Sequence, residues 1–190
     1  GHADHFGSAA ALRKRLGIPV ACMDKAVSDL RDGVNRHLKP LGLSGAVASL
    51  AVSLAPASAY RAAALDPDVI FSGPAELSQW GVDAAAVPTP GHTPGSLSII
   101  PGASRAALWG SGGPAALPWA VVGDLAFGRF TAPRRARLPI FASDTEALGR
   151  SLRLLSGSAV VYPGHGGPLE GPELAILARG FAPEGAERTS

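Results

Sequence analysis

Five histidines occur in the chain, and four of them, His2, His5, His92 and His165, sit in polar or glycine-rich loop signatures at the ends of predicted strands; His37 alone lacks such a setting. His2-Ala3-Asp4-His5 packs three potential ligands into four residues, which on a tight turn can aim two imidazoles and a carboxylate at two neighbouring metal positions. His92 lies in Thr89-Pro90-Gly91-His92-Thr93-Pro94-Gly95-Ser96, where two prolines and two glycines fix an unusual loop and present a side chain at low entropic cost. Asp124 emerges as the apolar run Val121-Val122-Gly123 ends, and His165 does likewise in Val160-Val161-Tyr162-Pro163-Gly164-His165-Gly166. Each element also has an ordinary reading, as a solvated turn, a surface histidine or a helix cap. The ordered set is what points to a divalent cation held by nitrogen and oxygen.

The elements that must position these residues alternate. Ser8 can cap a helix over residues 9–16 that stops at Gly17 and leads to an apolar strand over 18–23. Asp24 is a candidate cap for a helix through Val27 and Leu30, and the Ala-rich section of about 31–66 reads as helical. Short apolar runs at 68–71, 84–87, 97–100, 106–109 and 120–122 are bounded by Gly, Pro or Ser and read as strands. Asp144 can start a helix carrying Leu148, Leu152 and Leu155 on one face, followed by a strand at 159–162 and a closing helix from Pro172 to Ala178. The class is α/β (α+β), with layers of both.

With 190 residues, 46% hydrophobic and 17% charged, the chain is read as a single globular domain over residues 1–190, with the section at about 31–66 as a helical insertion. A formal charge of +2 is no polyanion footprint, and Trp80, Trp109 and Trp119 form no basic-aromatic platform, so nucleic acid is not expected as a partner. Cys22 is the lone cysteine, which excludes an internal disulfide and a thiolate-rich zinc site; in its apolar strand it reads as core. Residues 40–60 carry no charge but contain prolines, glycines and serines, so no membrane association is expected. The expected partner is a small-molecule substrate and the expected location cytoplasmic. Arg129, Arg134, Arg135 and Arg137 follow Asp124 as a basic loop, read as solvated, or else as a receptor for an anionic substrate tail.

Taken in order, HADH, TPGHTPGS, a GD pair after a strand and YPGHGG after a strand resemble the metallo-β-lactamase superfamily, from His2 to Gly167. The resemblance implies an αβ/βα four-layer sandwich with the metals at one sheet edge. It assigns His2 and His92 to a first metal and Asp4, His5 and His165 to a second, with Asp124 bridging. It implies two zinc ions, with iron or manganese as alternatives, and a hydroxide that attacks an ester, thioester, lactone or amide carbon while Asp4 orients it and assists proton transfer. The family motif is HxHxDH, whose first histidine would fall immediately before Gly1; the sequence is therefore expected to be a fragment lacking the N-terminal strands, or else a chain with a depleted first metal site. Aspartate rather than cysteine at 124 points away from thiolate-using β-lactamases, and the absence of a glutamate in HADH points away from flavo-diiron relatives. The subgroup it looks most like is glyoxalase II-like, with a thioester as leading substrate. The competing readings are a mononuclear iron persulfide dioxygenase and an inactive truncated metal-binding domain.

Overall fold

The computed structural model describes residues 2–34, 38–56, 61–104, 116–129, 131–132 and 134–181. The strand predicted at 106–109, Trp109 within it, and His37 lie outside these residues. In chain order the elements are α1 (Ala3–Phe6), α2 (Ala9–Leu16), β1 (Ala21–Met23), a 3-10 turn (Asp24–Ala26), α3 (Val27–Asp32), β2 (Lys39–Pro40), α4 (Gly42–Leu54), β3 (Val69–Phe71), β4 (Ala75–Glu76), β5 (Ala84–Pro88), β6 (Leu97–Pro101), β7 (Ala120–Gly123), β8 (Phe127–Gly128), β9 (Ala136–Arg137), β10 (Phe141–Ala142), α5 (Thr145–Leu154), β11 (Val160–Pro163), β12 (Leu169–Glu170) and α6 (Pro172–Ala178).

Six strands form the main sheet in the order β12-β11-β7-β6-β5-β4. All neighbours are antiparallel except β11 and β7. On one face lie α5 and α6. Asp144 begins α5 by accepting hydrogen bonds from the backbone N–H groups of Glu146 and Ala147 at 2.9 and 3.0 Å, and Leu148, Leu152 and Leu155 then fall on its inward side, fully buried against Val122 and Val161. On the other face a small core of Met23, Phe71 and Ala86, flanked by Leu97 and Ile99, joins the main sheet to the parallel pair β1–β3. Beyond that pair a third core of Phe6, Cys22, Ala26, Leu30 and Leu65 seats α1 to α3. Helix, sheet, sheet and helix thus stack in four layers, the αβ/βα arrangement expected.

The differences from the sequence reading are local. Ser8 precedes α2 without a side-chain capping bond. The strand expected from Ile18 begins at Ala21, because Pro19 has no N–H to pair and the Val20 N–H is taken by the Asp68 carboxylate at 2.9 Å. Asp24 starts a 3-10 turn, and helix follows only from Val27. Within 31–66 the described helix beyond α3 is α4 alone; ahead of it β2 pairs with β10, and Val34 bridges to Arg61. The arginine loop is solvated, as read, with the Arg134 and Arg135 side chains 80% and 65% exposed, and its cations are also paired within the chain. Arg134 pairs with Glu170 at 3.2 Å, Arg135 with Glu173 at 2.9 Å, Arg129 donates to the Ala136 carbonyl, and Arg137 lies over the Phe127 ring. Cys22 is buried in the core, as expected. No helix among the described residues is long and apolar enough to cross a membrane.

Candidate metal centre

Sheet topology explains why residues remote in sequence meet. The parallel pairing of β7 and β11 puts both C-terminal ends at one edge, so Asp124 and His165 leave side by side. Because β6 runs antiparallel to both β5 and β7, the loop joining β5 to β6, which carries His92, opens at that same edge. The loop is strapped to the start of α5: the Ser143 and Asp144 N–H groups donate to the Gly91 carbonyl, and Ser151 Oγ donates to the Pro90 carbonyl at 2.7 Å. Gly91, at φ +141°, passes so close to α5 that a Cβ would lie 2.4 Å from the Leu148 Cα. His2, Asp4 and His5 arrive from across the edge on α1, a single turn closed by His5 N–H and Phe6 N–H on the His2 carbonyl.

All six predicted residues converge. His5 Nε2 donates to Asp124 Oδ2 at 2.9 Å, and His92 Nε2 lies 3.2 Å from the same oxygen. His165 Nε2 is 3.2 Å from Asp4 Oδ2 and 3.5 Å from Asp124 Oδ1. The His2 and His92 rings stack with centroids 4.7 Å apart. Ligand atoms of Asp4, His5 and His165 all lie within 4.8 Å of one another. A Cβ at Gly164 would meet His5 Cε1 at 2.6 Å and Asp124 Oδ1 at 2.8 Å, so a larger residue there would displace both side chains.

The electrostatics match a cation site. His2 Nε2, His92 Nε2 and Asp124 Oδ1 are buried without a hydrogen-bond partner, a costly state for polar atoms unless something binds them. The other nitrogen of His92, Nδ1, donates to the Phe141 carbonyl at 2.8 Å, which fixes the ring and turns Nε2 toward the cluster. Burial, and then the adjacent His92, lower the pKa of His2 to about 4, so it is a neutral imidazole at physiological pH. Burial alone would raise Asp124, but the imidazoles of His5 and His92 outweigh it and hold the carboxylate well below its ordinary range. The hydrogen bond to Asp124 in turn raises His5 above its ordinary value.

Four of the donors, His2, His5, His92 and Asp124, line a cleft of about 160 Å³ together with Thr93, Ser96, Leu97 and Val122. A broader depression of about 600 Å³ beside α2 holds no such donor set; its one carboxylate, Asp68, is paired with Arg13. Two parts of the centre were not legible in the sequence. The partner of His92 is the backbone carbonyl of Phe141, which no side-chain motif announces. Phe127, three residues beyond Asp124, packs edge-on to His165 at 4.8 Å between ring centroids; its place just past the GD pair was its one signal.

A family model described as the metallo-β-lactamase superfamily matches residues 1–165. Among solved structures, an archaeal metallo-β-lactamase superfamily protein from Sulfolobus tokodaii is similar at a TM-score of 0.57 and 16% identity, over 92% of this chain and 62% of that one. The BLEG-1 B3 metallo-β-lactamase is similar at 0.53 and 20%, over 90% and 69%, and TTHA1623, crystallised in a di-iron-bound form, at 0.54 and 25%, over 94% and 71%. The chain therefore spans less than two thirds of the first of these proteins. No curated protein matches it. With the model covering all six converging residues and the four-layer architecture in place, this chain belongs to the metallo-β-lactamase superfamily.

Proposed function

We propose that the chain acts as a metal-dependent hydrolase of the glyoxalase II-like kind, cleaving a small thioester, ester or lactone with two divalent ions, zinc foremost. One observation carries the reading: three buried polar atoms from three separate segments, His2 Nε2, His92 Nε2 and Asp124 Oδ1, lie at one cleft without a hydrogen-bond partner. His2, His92 and Asp124 would hold one ion, and Asp4, His5 and His165, with Asp124 shared, the other. Such a donor set of imidazoles and carboxylates suits zinc, and also iron, which the di-iron form of TTHA1623 keeps as an alternative. Held there, two such ions would supply a water of pKa lowered to about 7 and polarisation of a substrate carbonyl.

The chain's own groups divide the remaining work. Asp124, kept anionic, is a poor proton acceptor and serves as a fixed charge. Asp4 is half exposed beside His165, and a carboxylate so placed would orient an attacking water and take its proton. Leu97 and Val122 supply an apolar wall for an acyl group, and Thr93 and Ser96 a polar one. The lone, buried Cys22 and the small cleft fit a cytoplasmic enzyme with a small-molecule substrate.

The test is metal analysis of the full-length protein together with hydrolysis of a panel of acyl thioesters, esters and lactones. About two equivalents of metal are expected, and Asp124→Ala should lose both metal and hydrolysis, because both ions lose a shared ligand. Well under one equivalent in the wild type, or undiminished turnover in Asp124→Ala, overturns the reading. Iron on purification with oxygen uptake on a persulfide selects the mononuclear dioxygenase instead.

A further inference from the structure

His92 and His165 are oriented by different means. A hydrogen bond to the Phe141 carbonyl locks the first, whereas among the described residues no hydrogen bond reaches Nδ1 of His165, whose side chain is 46% exposed. What His165 has is an aromatic neighbour: the Phe127 ring meets it edge-on, 4.8 Å between centroids at 62°. Phe127 is itself confined. Arg137 stands over it with Cζ 5.4 Å from its centroid, and β8 pairs with β9 in register, Phe127 opposite Arg137. The next residue, Gly128, donates its N–H to the His165 carbonyl at 2.8 Å, tying the two backbones together. Below the hairpin, buried Glu173 of α6 accepts from the Ala136 N–H at 2.6 Å and from Arg135.

We propose that Phe127 is a positioning residue for His165, held in place by Arg137, and that it sets the affinity of the ion at Asp4, His5 and His165 without touching the other. The inference rests on the metal reading above. A ligand imidazole ordinarily owes its orientation to a partner on its second nitrogen, and removing such a partner weakens metal binding by about 10- to 100-fold; an edge-to-face ring does the same task by packing.

The experiment is Zn²⁺ titration of the full-length protein against a chromophoric chelator, with thermal melts to report folding. Phe127→Leu should weaken one ion by about 10- to 100-fold and leave the other within about threefold. Arg137→Met, which frees the Phe127 ring without emptying the core, should weaken the same ion by about two- to fivefold. Equal weakening of both ions, or no change in a folded Phe127→Leu, overturns the proposal. If Phe127→Leu fails to melt cooperatively, Arg137→Met decides, and unchanged Zn²⁺ affinity there overturns it. His165→Ala separates the two levels. If it leaves Zn²⁺ binding intact, the metal reading fails; if it weakens binding while Phe127→Leu does not, only the positioning role fails.

Discussion

His92 and Asp124 reach the cleft from loops packed onto α5 and the main sheet, where among the described residues seventeen buried apolar side chains form one continuous core; their own side chains are 5% and 6% exposed. Asp4 and His5 come from a one-turn helix seated on a cluster of five, and are 51% and 36% exposed. One centre is thus assembled from a deep half and a shallow half, with two exceptions: His165 on the main-sheet side is 46% exposed, and His2 Nε2 on the α1 side is buried. Each buried apolar side chain contributes roughly 1.5–3 kcal/mol, so the larger core can fix its loops to a degree the smaller cannot. The difference also divides labour. The deep half supplies fixed charge and orientation, while the shallow half leaves Asp4, the proposed proton acceptor, half exposed to solvent.

The sharpest way to break this contrast is to empty each core in turn. Leu152, fully buried amid α5, β7 and β11, should cost about 3–5 kcal/mol as Leu152→Ala, whereas Leu30→Ala, whose neighbours Ala9, Ala10 and Val27 are only partly buried and can close in, should cost about 2 kcal/mol. Chemical denaturation of the two variants measures this. Equal losses would mean that the halves are equally rigid.

Glu173 tests the deep half electrostatically. Burial alone would raise its pKa, but the Ala136 N–H and then the Arg135 guanidinium outweigh it and leave it below the ordinary value of 4.5. A depressed carboxylate contributes stability that is complete above its unfolded-state pKa and is lost as pH falls through the folded one. Glu173→Gln should therefore cost about 1–2 kcal/mol at pH 7. The gap from wild type should hold down to about pH 5 and close below it. A pH-independent gap would assign the effect to packing instead.

On the shallow half, Arg13 binds the Asp68 carboxylate and the Asp66 carbonyl, both exposed, so Arg13→Ala should cost less than about 1 kcal/mol and lose most of that effect in high salt. Smallest of all, Leu50 of α4 is 63% exposed, and Leu50→Ser should change stability by no more than about 0.5 kcal/mol. A larger loss on Leu50→Ser, read in thermal melts, would show that α4 is covered in solution.

How much was legible in the sequence follows the same division. The α5 helix, its Asp144 cap and its leucine face were readable because a strong local signal and the tertiary demand agree there. Helix α6 was readable from its Pro172 start. The two-residue strands β2, β4, β8, β9, β10 and β12 were not, since a strand so short has no periodicity and exists only because a partner edge is present. Likewise the arginine loop read as a charge run, because sequence distance hides that Glu170 and Glu173, some 35 residues on, fold back to meet it.

By itself the sequence determined the donor chemistry. Imidazoles and carboxylates in stiff glycine-proline loops after apolar runs, with a single cysteine, leave a nitrogen- and oxygen-held cation as the natural occupant, because residue type fixes what an atom can donate. Only the tertiary structure decided which of those atoms face one another, which are buried without partners, and which ring is held by a carbonyl and which by another ring. Those are properties of distances between segments more than a hundred residues apart along the chain, set by strand order and by how much apolar surface each half buries.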